Sequence, residues 1–177
     1  MVKDNSFLNN PLLNIAIAIG IAVIVLLLSN QMEALGNWGY LGAFFISMLG
    51  SATILIPVPG WAVVLGLSKS LNPVLLGIVA GIGSAIGELT AYLFGHGMGR
   101  LIEKKKEFAK QKNWMQKNDF AAIFVLSFIP NPLFDMAGLA AGAAKVPWFR
   151  FLLFCALGRV LRFILFGFAG YYFFNGF

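Results

Sequence analysis

The sequence predicts an all-α integral membrane protein. Its predicted architecture is an inverted repeat of two re-entrant helical hairpins, each followed by a long transmembrane helix, plus an N-terminal transmembrane helix. Hydrophobic residues make up 59% of the 177 residues and charged residues only 11%, whereas soluble domains carry about 25% charged residues. Two Pro-x-Pro turns interrupt apolar runs that would otherwise form continuous helices. By length, residues 1–177 form a single membrane domain.

The distribution of charge indicates membrane topology and argues against nucleic-acid binding. The net charge is +6, but most basic residues fall in the polar segment 100–119. There, Leu101, Phe108 and Met115 recur every seven residues, which predicts an amphipathic basic helix on the membrane surface. The positive-inside rule places this segment and the N-terminus in the cytoplasm. Recognition of anionic headgroups is an alternative role for the basic residues.

Residues 1–30 are predicted to contain the N-terminal transmembrane helix. The run from Leu12 to Ser29 is almost entirely Ile, Ala, Val and Leu, and it has the length needed to span a bilayer. A signal peptide is the alternative interpretation. The apolar run is longer than a typical signal-peptide core and no clear small-x-small cleavage motif follows, so a retained helix is favoured.

The first repeat is predicted over residues 38–99 and begins with a hairpin. The apolar run Gly39–Ile56 is interrupted by Pro57 and Pro59, and a second apolar arm, Trp61–Leu67, follows. That arm rises only about 10 Å as a helix, which is too short to span a bilayer. A hairpin that turns at the prolines and returns to the same side explains both features. A full span followed by a loop is the alternative.

A long helix completes the first repeat. Asn72-Pro73 predicts its start because proline suits the first helical turn, and the helix is predicted to continue through Gly99. It carries glycines at a small-xxx-small spacing, which lets membrane helices approach closely. These glycines are Gly77, Gly81, Gly83 and Gly87.

The second repeat is predicted over residues 120–175 and holds the most unusual element of the chain. Within an apolar run, Pro130, Asn131 and Pro132 form a turn that Asp135 follows closely. A broken backbone at membrane depth is tolerated only where it is packed in protein or lines a wet cavity. We therefore expect this turn to be the tip of a re-entrant hairpin and the functional centre.

The two repeats share the same order of elements. Ile56–Pro59 matches Ile129–Pro132, and Pro73 matches Pro147, which opens a last long helix ending near Phe174. With the basic segment in the cytoplasm, the two repeats must have opposite orientations. Inverted repeats with broken helices near the midplane are typical of secondary transporters.

Four ionisable side chains fall at apparent membrane depth, namely Glu88, Asp135, Arg159 and Arg162. Their charges sum to zero. They either pair and lock the repeats together or line a polar path in which the arginines contact a phosphate. Asp135 is the preferred functional acid because it lies beside the backbone break. Glu88 is the preferred structural partner of an arginine.

The sequence offers little for enzyme chemistry, so no enzyme activity is predicted. It lacks a G-x-x-x-x-G-K-[ST] phosphate-binding loop, contains a single histidine, and shows no nucleophile–base pair. Cys155 is the single cysteine, which excludes a disulfide framework and leaves no metal cluster to build around it. We expect no cofactor and no metal.

The pattern resembles the DedA/VTT superfamily, also called the SNARE-associated Golgi protein domain, over roughly residues 40–175. The elements that carry the resemblance are Ile56–Gly60, Gly87-Glu88 with Tyr92 and Gly95, Gly99-Arg100, and the second Pro-rich element through Gly158-Arg159. Within the superfamily, the element Ser127–Gly138 is closest to the vacuole membrane protein 1 type.

The resemblance implies a membrane lipid transporter. Eukaryotic members of this type act as phospholipid scramblases, and bacterial DedA members are associated with undecaprenyl phosphate movement and with proton-motive-force dependence. The chain departs from the bacterial pattern in two places. Its first hairpin carries no charge, and Asn131 and Asp135 stand where arginines would be expected.

These observations predict an ATP-independent phospholipid scramblase that passes headgroups through a polar groove between the two hairpins. The groove-lining residues are predicted to be Asp135, Asn131, Pro130, Pro132, Glu88, Arg159, Arg162, Pro57 and Pro59. One alternative is a proton-coupled DedA-type transporter or polyprenyl-phosphate flippase. Another is a non-transporting membrane assembly factor. Membrane phospholipids are the expected partners, and a prokaryotic plasma (inner) membrane is the expected location.

Overall fold

A computed structural model of the chain describes residues 36–52, 60–102, 113–129 and 136–176. All regular secondary structure in these ranges is helical. Several predicted features lie outside them: the N-terminal helix of residues 1–30, both Pro-x-Pro turns with Asn131 and Asp135, and residues 103–112 of the basic segment 100–119.

The first half contains four helices within the described residues, and they lie in the apolar runs that the sequence predicts to be helical. They are α1 (Trp38–Ala52), α2 (Gly60–Leu67), α3 (Pro73–Gly87) and α4 (Leu89–Ile102). The start of α3 lies where Asn72-Pro73 predicts it. The Asn72 side chain caps the helix, because its oxygen accepts hydrogen bonds from the amides of Val74 at 3.0 Å and Leu75 at 3.1 Å.

The long helix of the first half is less regular than predicted. A single turn residue, Glu88, separates α3 from α4. Next to it, the Thr90 hydroxyl donates to the Gly87 carbonyl at 2.9 Å, and it also lies 3.0 Å from the Ala52 carbonyl. A threonine hydroxyl that bonds to a helix carbonyl bends the helix, and glycine weakens it locally. Both effects place the irregularity at Glu88.

The second half contains α5 (Asp119–Phe128), α6 (Met136–Ala143) and α7 (Trp148–Asn175). Asn118 caps α5 by accepting a hydrogen bond from the Ala121 amide at 3.0 Å. The last helix begins beside Pro147 and ends near Phe174, as predicted.

Two helical stretches within the described residues are long and apolar enough to cross a membrane. They are Pro73–Gly97, with 25 residues, and Trp148–Asn175, with 28 residues. In both cases the surrounding helices bury only part of the stretch. Large apolar side chains along α7, among them Leu153, Leu157 and Leu161, are exposed at the surface of the protein, as expected for a helix surrounded by lipid.

The two long helices form the centre of the fold and run antiparallel to each other. Gly77 lies against the backbone of Ile164, and Gly81 lies against that of Val160. A Cβ atom at either glycine would clash with α7, so the close approach requires glycine at both positions. This pair of helices has the most extensive packing in the described structure.

The remaining glycines of α3 pack against α1, which runs parallel to α3. Gly83 lies on the carbonyl of Phe44, and Gly87 lies on that of Met48. The predicted small-xxx-small spacing thus serves two neighbouring helices, because one glycine pair faces α7 and the other faces α1.

In each half, the second short helix packs against the helices that form the long segment of the other half. In the first half, α2 lies along α7, where the Trp61 ring is 6.3 Å from the Phe166 ring and Gly170 packs against the backbone of Leu65. In the second half, α6 packs extensively on α4, with Gly142 lying against the carbonyl of Tyr92. The first helix of each half packs within its own half, since α1 packs on α3 and α5 packs on α7.

Candidate functional site

Residues of α1 and α6 meet around Glu88 and Arg159. Ser51 lies in the last turn of α1, just before residues 53–59, and Gly138 lies in the first turn of α6, just after residues 130–135. Both contact this pair. The polar cluster is therefore built from both halves of the chain.

Glu88 and Arg159 form a buried ion pair. The Arg159 Nη2 atom lies 2.6 Å from the Glu88 Oε2 atom, and the two side chains are 3% and 0% exposed. Two charges withdrawn from water are tolerated only when they are paired and further hydrogen bonded. The predicted pairing of Glu88 with an arginine is thus present, and that arginine is Arg159.

Two serines provide further hydrogen bonds to the arginine. Arg159 Nη1 donates to Ser84 Oγ at 2.7 Å and lies 3.4 Å from Ser51 Oγ. The two serine oxygens are themselves 2.6 Å apart. Ser84 precedes Glu88 by one helical turn, so both side chains lie on the face of α3 that meets Arg159. Among the residues that the structure describes, three side chains contact the guanidinium, one each from α1, α3 and the α3–α4 junction.

The Glu88 carboxylate also binds the start of α6. Its Oε1 atom accepts a hydrogen bond from the Gly138 amide at 3.2 Å in a buried position. Gly138 is the third residue of α6, and the first amides of a helix have no partner within the helix. The carboxylate therefore acts as an N-terminal cap provided by another helix, and the positive end of the helix dipole favours its charge.

Arg162 lies beside this cluster in a more open position. It is half-buried, whereas Arg159 is almost fully buried. Its Nη1 atom lies 3.4 Å from the Ser127 carbonyl oxygen at the end of α5. Its guanidinium is 5.8 Å from the Phe163 ring centroid and 6.0 Å from that of Phe166, a geometry in which the ring faces attract the cation.

The described structure brings together part of the predicted site. Glu88 and Arg159 are in direct contact, and Arg162 lies one helical turn beyond Arg159 on α7. The other predicted site residues lie outside the described ranges: Pro57, Pro59, Pro130, Asn131, Pro132 and Asp135. Their place in the site remains a prediction.

Sequence reasoning missed Ser51, Ser84 and the Gly138 amide. Serines in apolar helices usually hydrogen bond to their own backbone, so their presence alone carries little information. The spacing of Ser84 and Glu88 was a usable signal, because residues four apart share a helix face. Within the described ranges, no three His, Cys, Asp or Glu side chains lie close enough together to hold a metal ion.

Comparison with known proteins identifies the family. The VTT domain family matches residues 58–172, which confirms the resemblance to the DedA/VTT superfamily. No solved structure is detectably similar to the chain.

Three relatives illustrate the range of the family. The chain is similar to vacuole membrane protein KMS2 of Arabidopsis thaliana, with 31% identity over 48% of the chain and 25% of that protein. It is similar to vacuole membrane protein 1 of Bos taurus, with 31% identity over 46% of the chain and 26% of that protein. It is also similar to undecaprenyl phosphate transporter A of Bacillus subtilis (strain 168), with 27% identity over 81% of the chain and 76% of that protein.

The matched region thus spans about a quarter of the length of the plant and animal relatives, but most of the bacterial one. The names of these three relatives describe membrane proteins and a transporter, and none describes an enzyme.

Proposed function

Because this chain is a membrane protein that belongs to the VTT domain family, we propose that it moves lipids between membrane leaflets. In this proposal it is an ATP-independent phospholipid scramblase whose hairpins border a polar groove for the headgroup. The observation that carries the proposal is the buried Glu88–Arg159 cluster, on which arms of both hairpins converge. Charged groups at membrane depth are costly and mark transport pathways.

The ends of the hairpins support re-entrant geometry. The Tyr40 hydroxyl, near the start of α1, lies 3.0 Å from the Asn72 amide, just before α3. In the second half, Asp119 at the start of α5 lies 3.4 Å from Arg150 near the start of α7. In each half these contacts hold the start of the first helix near the start of the long helix, which supports a re-entrant hairpin between them.

The exchange of second arms supports an inverted repeat. Because α2 packs on α7 while α6 packs on α4, each half makes the same pattern of contacts with the other. The antiparallel direction of α3 and α7 agrees with two repeats of opposite orientation. Repeats of this kind place substrate sites at their interface, which is where Glu88 and Arg159 lie.

The proposed path uses the two arginines differently. Arg159 is held by Glu88 and the serines, whereas the half-buried Arg162 is more accessible to a passing headgroup. Guanidinium groups suit phosphate because they offer paired donors in a plane. Asp135 and Asn131, with the prolines at positions 57, 59, 130 and 132, would complete the path at the two turns.

A liposome assay tests the scramblase. Purified protein would be reconstituted with a fluorescent phospholipid, and dithionite would then bleach the outer leaflet without ATP or an ion gradient. We expect bleaching to proceed well beyond one half of the fluorescence, because inner-leaflet lipid is continually exchanged outward. Liposomes in which bleaching stops at one half, as in protein-free vesicles, would contradict the proposal.

A coupled transporter of polyprenyl phosphate is the second candidate. It is favoured by the similarity to undecaprenyl phosphate transporter A over 81% of the chain and by a buried carboxylate at the repeat interface. In this case a pH gradient across the liposome would change the rate of transport, and Asp135→Asn would abolish that response. If the rate is the same with and without the gradient, this candidate is excluded.

A purely structural role is the remaining alternative, in which the charges only hold the halves together. Exchanging the pair as Glu88→Arg and Arg159→Glu would then preserve the cellular phenotype of the native protein. Under the transport proposal the exchange would abolish lipid movement, because the cation would be displaced from α7. Detergent-solubilised protein from the exchanged variant must first elute as a folded species.

The proposed location is a bacterial plasma membrane, with residues 100–119 and the N-terminus in the cytoplasm. The native cysteine, Cys155, is buried, which allows an introduced cysteine to report its own accessibility. In intact cells, Lys105→Cys should resist a membrane-impermeant maleimide until the membrane is opened. Labelling in intact cells would reverse the proposed orientation.

A further inference from the structure

The surroundings of Glu88 have the composition of an anion site. Two described donors contact its carboxylate, the Arg159 guanidinium on α7 and the Gly138 amide at the start of α6, and a serine pair contacts the other terminal nitrogen of the guanidinium. A helix N-terminus attracts anions through its free amides and its dipole. Hydrogen bonds from a guanidinium to an anion are among the strongest in proteins.

The anion that occupies this site belongs to the protein. The Glu88 oxygens are divided between two elements, with Oε2 on Arg159 at 2.6 Å and Oε1 on the Gly138 amide at 3.2 Å. Glu88 is the single turn residue between α3 and α4, and its backbone remains hydrogen bonded to Ser84 and Tyr92. Rotation of the Glu88 side chain about its own bonds would vacate this position for another anion without a change in the backbone.

The donors fit a tetrahedral anion better than a carboxylate. Ser51 and Ser84 lie 2.6 Å apart and share one O–H between their oxygens, so the second O–H of the pair is available to another acceptor. Both hydroxyls adjoin Arg159 Nη1, whereas the carboxylate contacts Nη2. A phosphate has more oxygens than a carboxylate and can engage both guanidinium nitrogens, the amide and the hydroxyl.

We propose that the Glu88 carboxylate mimics the phosphate group of the transported lipid. The carboxylate occupies the position that this phosphate group takes between Arg159, the Ser84–Ser51 pair and the N-terminus of α6. This inference rests on the proposed lipid transport and names its phosphate-binding site. Displacement of Glu88 by phosphate would release the carboxylate from α6 and α7 together, which couples headgroup entry to movement of the second hairpin.

The test measures phosphate binding without measuring transport. The variant Glu88→Gln keeps the shape of the side chain but removes the competing charge. Thermal unfolding in detergent would be followed against inorganic phosphate, and separately against dihexanoyl phosphatidylglycerol. We expect both probes to raise the unfolding midpoint of the variant, with apparent binding at least about tenfold tighter than to the native protein, equivalent to a difference of about 1.4 kcal/mol.

Two controls locate the binding. The double variant Glu88→Gln/Arg159→Gln should lose the gain, because the cationic donor is absent. The variant Asp119→Asn removes a carboxylate from a partly exposed ion pair and should bind phosphate like the native protein. Equal gains in the double variant or in Asp119→Asn would assign the effect to unspecific binding and overturn the proposal.

If Glu88→Gln does not fold, a second variant tests the same site. Glu88→Asp retains the charge but is one methylene shorter, so it cannot hold Arg159 and Gly138 together. It should also bind phosphate more tightly than the native protein, and no gain would overturn the site. A gain without lipid scrambling by the native protein would refute transport and keep the phosphate site. Scrambling without any gain would refute the phosphate site alone.

Discussion

The two halves of the molecule contribute different chemistry to one shared cluster. The first half supplies the acid, Glu88, and both hydroxyls, from Ser51 and Ser84. The second half supplies the cations, Arg159 and Arg162. In each half, nevertheless, one short helix packs on the long helix of its own half and one packs on that of the other half. Architectural similarity between the halves therefore coexists with a division of charge, and the division ties one half to the other.

The largest expected effect on stability comes from breaking the Glu88–Arg159 ion pair. Arg159→Gln would leave the Glu88 carboxylate buried without its cation, and removal of one partner of a buried ion pair costs about 3–5 kcal/mol of the free energy of unfolding. Unfolding in mixed micelles of detergent and denaturing surfactant would measure the loss.

The matched control replaces both charges at once. Glu88→Gln/Arg159→Gln leaves two neutral amides that can bond to each other, so the double variant should be more stable than Arg159→Gln alone. Effects that simply add would show that the two halves are not held together by this pair.

A smaller effect is expected where glycines bring the halves into contact. Gly81→Ala places a methyl group against the backbone of Val160 on α7, and such overpacking costs about 1–3 kcal/mol. Gly42→Ala on α1 is the control, because a Cβ atom there meets nothing within 4 Å. Equal destabilisation by the two substitutions, measured by thermal unfolding in detergent, would show that the α3–α7 contact does not require glycine.

Two tyrosine hydroxyls distinguish contacts between halves from contacts within one half. The Tyr92 hydroxyl donates to the Val146 carbonyl at 2.7 Å in a buried position, whereas the Tyr40 hydroxyl accepts from the Asn72 amide at 3.0 Å in an exposed one. Tyr92→Phe should cost about 1 kcal/mol, because a buried carbonyl loses its donor. Tyr40→Phe should cost less, since water can replace the hydroxyl. The reverse order of the two losses in thermal stability would contradict this assignment.

The smallest effect is expected at the Asp119–Arg150 pair within the second half. Its atoms are 3.4 Å apart, and the side chains are 55% exposed for Arg150 and 29% for Asp119. Exposed pairs of this kind contribute about 0–1 kcal/mol and are screened by salt. Asp119→Asn should therefore change the unfolding midpoint only slightly, and raising the salt concentration should remove the difference. A loss as large as that of Arg159→Gln would reverse the ranking of the two pairs.

The sequence was most informative where a local rule applies. Asn72-Pro73 marks the start of α3 because side-chain capping and the proline ring act within one turn. The spacing of Gly77 and Gly81 indicated a close helix contact, although it could not identify the partner. Pairing of Glu88 with an arginine followed from the cost of burying a lone charge.

The sequence was less informative where the arrangement depends on distant parts of the chain. Which arginine pairs with Glu88 depends on how α7 is rotated against α3. The sequence does not distinguish Arg159 from Arg162, because both lie within the same apolar run. The irregularity at Glu88 depends on a hydrogen bond that Thr90 makes to Gly87. The exchange of α2 and α6 between halves has no counterpart in any local pattern.

The packing of α2 on α7, a helix of the other half, has a consequence for how the chain folds during synthesis. The apolar core around α2 includes Phe163 of α7, so α2 cannot complete its packing until the last helix has been synthesised and inserted. During translation, the apolar surface of α2 therefore remains in contact with lipid or with the insertion machinery until α7 is inserted. Separately expressed halves should each be short-lived, and co-expression should rescue both.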